Sequence, residues 1–365
     1  MALLARGARG AVAAVGLGAL CGPGTQPFLE REAQAEETRP AAPAVVVAAV
    51  AAVPAVTGVT GPGCLLTGST PVGKGLQIFD APSGGRVIGS FSGTFVGLRL
   101  SDFPADPATG RARVSTTLGS GALRLDGWAS PTTIPVYTAR DLSVMGGHVW
   151  ISIAQKIKLV QAAAGSLTGE VTILGSNGQT TRASAPCDAF TLTRPTPTAM
   201  EIPGNGRGYM MKGASIDLFD DANGSAVFAL KMSEGGGQLF WSTESRAGFV
   251  HVKSRSDLTI DAWARQRDLE PLKKGEMMDQ FIPPTTAIQG AQLALDPLPR
   301  VVRATKEIPI RARRDAKEAP IGAVEPGAEI YVLETITGWS NILPKSLALT
   351  PADDGGFWIP SSEVP

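Results

Sequence analysis

Histidine is nearly missing from this 365-residue sequence, with only His148 and His251. Histidine is the usual general base near neutral pH, so acid–base or triad chemistry has few places to start. Each histidine reads as an ordinary surface or half-buried residue. Cysteine is as scarce, at three, with no Cys-x-x-Cys pair and no metal-ligand spacing. There is no Gly-x-Ser-x-Gly elbow. Neither sign of charge dominates: lysine plus arginine and aspartate plus glutamate number 33 each. A balanced chain carries no electrostatic footprint for nucleic acid. The basic patch Arg311, Arg313, Arg314 and Lys317 is interrupted by Asp315 and Glu318, and reads as a solvated edge. Long apolar runs are also absent. The uncharged stretch 44–53, bracketed by Pro43 and Pro54, falls far short of the about 20 residues that a spanning helix needs. The reading therefore includes no cofactor, no metal and no transmembrane span in the mature chain.

Apolar residues make up 43% of the chain, and mean hydropathy is +0.09, enough for real cores. Glycine and proline are plentiful, at 43 and 28, while aromatics are only 6%. That mix suits short strands joined by many turns. Arg6 and Arg9 followed by the uncharged stretch 11–20 read as a secretory signal, residues 1–21. Cys21 sits where a bacterial lipobox would place its lipidated cysteine. Leu20 stands where a small residue is expected, so lipidation and ordinary cleavage nearby both stay open. Residues 22–62 read as a disordered linker. An exported chain with Cys64 and Cys187 remaining can pair them as a disulfide. The alternative is two buried free thiols; a catalytic Cys187 would need a histidine such as His148 in reach.

One unit recurs along the chain. Each copy opens on an alternating apolar run: Leu76-Gln77-Ile78-Phe79-Asp80, Ile216-Asp217-Leu218-Phe219-Asp220 and Ile308-Pro309-Ile310-Arg311-Ala312. Each closes on a Trp with an apolar residue at a fixed distance beyond it: Trp128 and Ile134, Trp263 and Leu269, Trp358 and Val364. Recurrence at similar spacing is settled before any other statement about fold. Turns follow the opening runs at Ala81-Pro82-Ser83-Gly84-Gly85 and Asp220-Asp221-Ala222-Asn223-Gly224. The paired aspartates 220–221 and 353–354 read as turn chemistry, not as a calcium loop. Between the first two copies, 136–193 is rich in strand pattern but has no closing Trp, and reads as a diverged unit. The resulting boundaries are 63–135, 136–193, 212–272 and 305–365, with Pro/Gly-rich linkers at 194–211 and 273–304. A short helix over 286–295 is expected within the second linker.

The run Gly356-Phe357-Trp358-Ile359-Pro360-Ser361-Ser362-Glu363-Val364 resembles the closing signature of bacterial Src-homology-3-like domains. Gly338-Trp339-Ser340-Asn341-Ile342 is similar to the middle strand of that family, and Glu325-Pro326-Gly327-Ala328 to its Pro-Gly turn. The match covers the last sixty or so residues well. It weakens at Trp263, where Arg265 and Gln266 replace the Pro-Ser pair, and at Trp128 it keeps only the core of the motif. The resemblance implies an all-β chain of tandem small five-stranded barrels. It implies modules that bind peptides or cell-wall material, or that act as targeting and spacer units. Trp128, Trp263 and Trp358 are then structural, filling small cores. Trp241, Trp339 and Tyr331 are the ligand-binding candidates. Trp241 and Trp339 are paired by their similar distance before the closing Trp.

These readings lead to an exported, non-enzymatic protein of the periplasm, outer envelope or extracellular space, recognising peptidoglycan or an envelope peptide or protein. One alternative is a structural or scaffolding surface protein. A second is the accessory targeting part of a cell-wall hydrolase.

Overall fold

The computed structural model describes residues 63–71, 76–91, 95–116, 123–197, 200, 205–233, 237–273, 299–345, 349–352 and 355–364. The signal, Cys21, the N-terminal linker and the helix expected at 286–295 lie outside them. The described residues are all β, in antiparallel sheets, with no α-helix among them. No helix among them is long and apolar enough to cross a membrane.

Four stretches run through closely similar pairings. Segment 1 has a leading strand, Leu66–Pro71, and a hairpin, Leu76–Phe79 with Val87–Phe91. A three-strand meander follows: Phe95–Ser101, Ala112–Thr116 and the closing strand Leu123–Ala129. Segment 2 repeats the order with Val136–Thr138, then Leu142–Met145 with Val149–Ile151, then Lys156–Ala163, Ser166–Thr172 and Thr180–Pro186. Segment 3 uses Arg207–Met211, Ser215–Phe219 with Ala226–Lys231, then Leu239–Arg246, Phe249–Arg255 and Leu258–Arg265. Segment 4 uses Arg300–Arg303, Ile308–Ile310 with Gly322–Val324, then Glu329–Ile336, Trp339–Pro344 and Phe357–Pro360. In all four the leading strand pairs with the first strand of the meander.

The opening and closing runs meet. Phe79 pairs with Trp128, Phe219 with Trp263, and Arg311 bridges to Trp358. A 3-10 turn then starts at the third residue after each Trp: Pro131–Thr133, Gln266–Asp268 and Ser361–Glu363. The next backbone N–H, of Ile134, Leu269 or Val364, returns to the first carbonyl of that turn. Segment 2 has the same turn at Cys187–Ala189, but Ser184 stands where the others hold Trp. Its hairpin packs on the closing strand without pairing to it.

Two strands fall in stretches read as linkers. Arg207–Met211 lies within 194–211, and Arg300–Arg303 within 273–304. The Gly-rich run around Gly206 and Gly208 has turn composition. Pairing of 207–211 with both Leu239–Arg246 and Leu269–Pro271 overrides it. The sheets are also not confined to single segments. Two nine-stranded sheets cross segment boundaries, one joining segments 1 and 4 and the other joining segments 2 and 3.

Alternation explains the core. Leu123, Leu125 and Ala129 of segment 1 face inward and are fully buried, as are Val250, Val252, Ile260 and Ala262 of segment 3 and Phe357 and Ile359 of segment 4. Gly127 is required where it stands, because an added Cβ would sit 2.5 Å from Ile78 Cγ2 and 2.6 Å from the Phe79 carbonyl oxygen. Cys64 and Cys187 form a disulfide, with Cα atoms 5.4 Å apart, tying the start of segment 1 to the 3-10 turn of segment 2.

Candidate binding surfaces

Trp128 and Trp358 do not fill the cores. The strand period of two that buries Leu123, Leu125 and Ala129 turns Trp128 to the other face. Trp358 is turned out in the same way between buried Phe357 and Ile359, and both rings are half-buried. Trp263 also faces away from Ala262 and Ala264, though neighbours cover it to 7% exposure. The sequence assigned these rings to core filling. Buried aliphatic residues do that work, because only alternate positions reach the core.

In segment 4, Trp339 pairs with Pro360 and Asn341 with Trp358, so both tryptophans share one outward face. The Arg314 guanidinium lies 5.2 Å from the Trp358 ring centre, and that of Arg311 lies 5.8 Å from the Trp339 ring centre. Arg311 Nε donates to the Glu318 carbonyl oxygen at 3.0 Å, which fixes the head group. Asn341 Oδ1 is buried beneath this face with no hydrogen-bond partner. Tyr331, opposite Leu343 and Val301, is half-buried against the core. The patch read as a solvated edge therefore supplies two guanidinium groups to an aromatic face.

Segment 3 builds a related face. His251 stacks on Trp263 with ring centres 4.9 Å apart, and Arg246 lies 5.1 Å over the same indole. His251 Nε2 is 2.6 Å from Asp261 Oδ1, and Lys253 Nζ is 3.1 Å from the other carboxylate oxygen. Trp241 pairs with Lys253 and so lies on this face too. Trp241 is not the counterpart of Trp339. Trp339 opens the strand after the turn Thr337-Gly338, and Phe249 opens the matching strand after Ala247-Gly248. Trp241 lies one strand earlier, so distance along the chain aligned two different places in the fold.

Segment 1 carries Trp128 opposite Arg113, and Arg111 sits 3.4 Å over Phe79. Arg99, Ser101, Arg113, Ser115 and Asp126 line a hollow of about 280 Å3 on this sheet face. Arginine over an aromatic ring was missed from the sequence at all three places. Phe79 and Phe219 at matching positions of the opening runs were the available signal.

His148 lies in the turn before Val149–Ile151, with Nδ1 3.2 Å from the Asp261 carbonyl oxygen. Cys187 is disulfide-bonded, so it has no thiol to partner His148.

No family model matches the chain, and no curated protein matches it. Two solved structures match weakly. NlpC2 of Trichomonas vaginalis has a TM-score of 0.15 at 11% identity, covering 44% of this chain and 48% of that one. NlpC1 of the same organism has a TM-score of 0.16 at 10% identity, covering 46% and 47%. The matched stretch spans about half of each of those chains, and likeness at that level carries neither fold nor activity.

Proposed function

We propose that this is an exported, non-enzymatic binding protein. It is built of tandem Src-homology-3-like modules whose outward aromatic faces recognise cell-envelope polymer or an envelope peptide. One observation carries the reading: segments 1 and 4 each turn a half-buried Trp away from the core, on a sheet face that also holds arginine. An aromatic plane beside a guanidinium stacks on sugar rings or prolines and pairs with carboxylates. The disulfide supports export, since such bonds persist in oxidising compartments.

Sedimentation with purified peptidoglycan tests it. The protein is expected to pellet with the polymer. The double variant Trp339→Ala/Trp358→Ala, on an outward face, is expected to lose most of that binding while keeping its thermal midpoint within a few degrees. A wild-type protein that stays in the supernatant refutes the polymer reading. The scaffold reading has its own support, because the contact between segments 1 and 4 reappears in the same register between segments 2 and 3. It predicts no sedimentation and a solution scattering profile indifferent to both substitutions.

A further inference from the structure

A cleft of about 670 Å3 lies where segments 1, 2 and 3 come together. No single segment makes it. Pro131 and Ile134 come from the 3-10 turn of segment 1, Tyr137, Lys156 and Lys158 from the sheet of segment 2, and Asp257 from segment 3. Arg194, in the extended stretch after segment 2, closes one side.

The charges there are uneven in their commitments. Glu170 is engaged by Arg182 Nε at 2.6 Å, and Asp257 Oδ2 accepts the Leu174 N–H at 2.6 Å. Lys156, Lys158 and Arg194 have no ion-pair partner among the described residues, and all three are exposed. The cleft therefore presents three free cations and two carboxylates already in use. Tyr137 lies on its floor, only 8% exposed. Burial raises its hydroxyl pKa and Arg194 opposes the rise. Leu174, 78% exposed, stands on the rim as a large apolar side chain without cover.

We infer that this cleft binds an extended acidic peptide with apolar residues interleaved among its carboxylates. Lys156 and Lys158 are two apart on one strand, so they project from one face about 7 Å apart. Carboxylates at alternate positions of an extended chain have that same spacing. The residues between them turn to the other side of the peptide, where they can meet the Pro131–Ile134 wall. A uronic-acid polymer fits less well, because it brings no apolar side chains to the Pro131–Ile134 wall. The inference goes beyond the aromatic-face reading and does not depend on it.

The probe is a fluorescein-labelled peptide alternating glutamate and leucine, titrated by anisotropy at moderate salt, with polygalacturonate as a second ligand. The full chain should bind the peptide. Lys156→Glu/Lys158→Glu should weaken it by about tenfold or more, since both side chains are exposed and the fold does not need them. Lys212→Glu/Lys231→Glu, at exposed positions of segment 3 outside the cleft, should leave it unchanged. Failure of the peptidoglycan experiment together with success here removes the polymer reading alone. The cleft proposal is overturned if the wild type does not bind the peptide, if the Lys156/Lys158 variant binds as the wild type does, if the Lys212/Lys231 variant weakens equally, or if polygalacturonate binds in its place.

Discussion

Gly322–Val324 of segment 4 lies antiparallel on 123–125 of segment 1, and Val149–Ile151 of segment 2 lies antiparallel on 258–260 of segment 3. Measured from the closing Trp of the receiving segment, the two registers coincide. Gly322 faces Leu125 and Val149 faces Ile260, each the third residue before its Trp. The backbone extends both ladders in the same way, with Asp126 N–H donating to the Ile321 carbonyl oxygen at 2.8 Å and Asp261 N–H to that of His148 at 2.9 Å. The side chains differ. At the first joint Arg124 is surrounded by Asp126, Glu307 and Glu325 at 3.1–3.4 Å. Burial works to lower its pKa, and the three carboxylates more than reverse that, holding it above the ordinary value. Arg86 adds a second bridge across this joint, to Glu318. At the other joint the described residues hold one ion pair: Arg255 Nη2 reaches both oxygens of Asp141, at 2.9 and 3.0 Å. Asp141 Oδ1 also accepts the Ile153 N–H at 2.7 Å. The backbone sets the register, and the ion pairs decide which segment docks on which, because a swapped partner would leave those charges unpaired.

The largest test asks whether each joint holds without help from the other pair. The disulfide is the covalent tie between them, linking segment 1 to segment 2 across a sequence separation of 123. On the chain-entropy account, closing a loop of that length contributes about 4–5 kcal/mol. Cys64→Ser/Cys187→Ser is expected to lower the denaturant midpoint by a corresponding amount. The exchange protection of the Asp126 and Asp261 amides should stay equal relative to global unfolding. Loss of protection at one amide alone would show that its joint depends on the tie.

A second test separates the joints by sterics. An added Cβ at Gly322 would fall well inside van der Waals contact distance of the Arg124 carbonyl oxygen. At the matching place in the other joint stands Val149, fully buried and accommodated. Gly322→Val is expected to cost about 3 kcal/mol, at the upper end for overpacking. It should expose the Asp126 amide to exchange while leaving that of Asp261 protected. Equal loss at both amides would mean that the four segments open as one unit, and that the joints are not separable.

The repeat was legible because it rests on local pattern. Alternation marked the opening strands, and the Trp with its following apolar residue marked the 3-10 turn. The diverged stretch 136–193 was harder to read because Ser184 replaces the Trp. The joints had no signature. Gly322-Ala323-Val324 and Val149-Trp150-Ile151 pair through backbone groups that any apolar strand offers, and the ladder does not specify its partner in the sequence. The cleft was invisible for the same reason, since its walls are brought together only once the joints have formed. Lys156-Ile157-Lys158 did contain a readable hint, as alternation puts both lysines on one face. Trp128 and Trp358 were misread because ring size suggests burial, whereas strand parity turns them outward; Trp263 has the same parity and is buried by its neighbours.

The smallest test concerns the outer edge of each receiving hairpin. In segment 1 the edge strand Val87–Phe91 is covered by a true strand of segment 4, Leu349–Pro351, with Ser90 opposite Thr350. In segment 3 the corresponding edge, Ala226–Lys231, meets one side chain of segment 2. Gln179 Nε2 donates to the Ala229 carbonyl oxygen and its Oε1 accepts the Lys231 N–H, both at 2.8 Å. The amide reproduces a backbone pairing, and it comes from the loop between the last two strands of its segment, the same loop that supplies Leu349–Pro351 in segment 4. Both freed groups can turn to water at this exposed site, so Gln179→Ala is expected to cost only about 1 kcal/mol. The sharper reading comes from Gln179→Glu. The carboxylate keeps the acceptor for Lys231 N–H but loses the donor and faces the Ala229 carbonyl with like charge. Exchange at the Lys231 amide should therefore rise strongly in Gln179→Ala and less in Gln179→Glu. The Phe91 amide, on the strand-covered edge, should be unaffected by either. If both variants leave Lys231 protected, the amide is incidental, and the two edges are not equivalent after all.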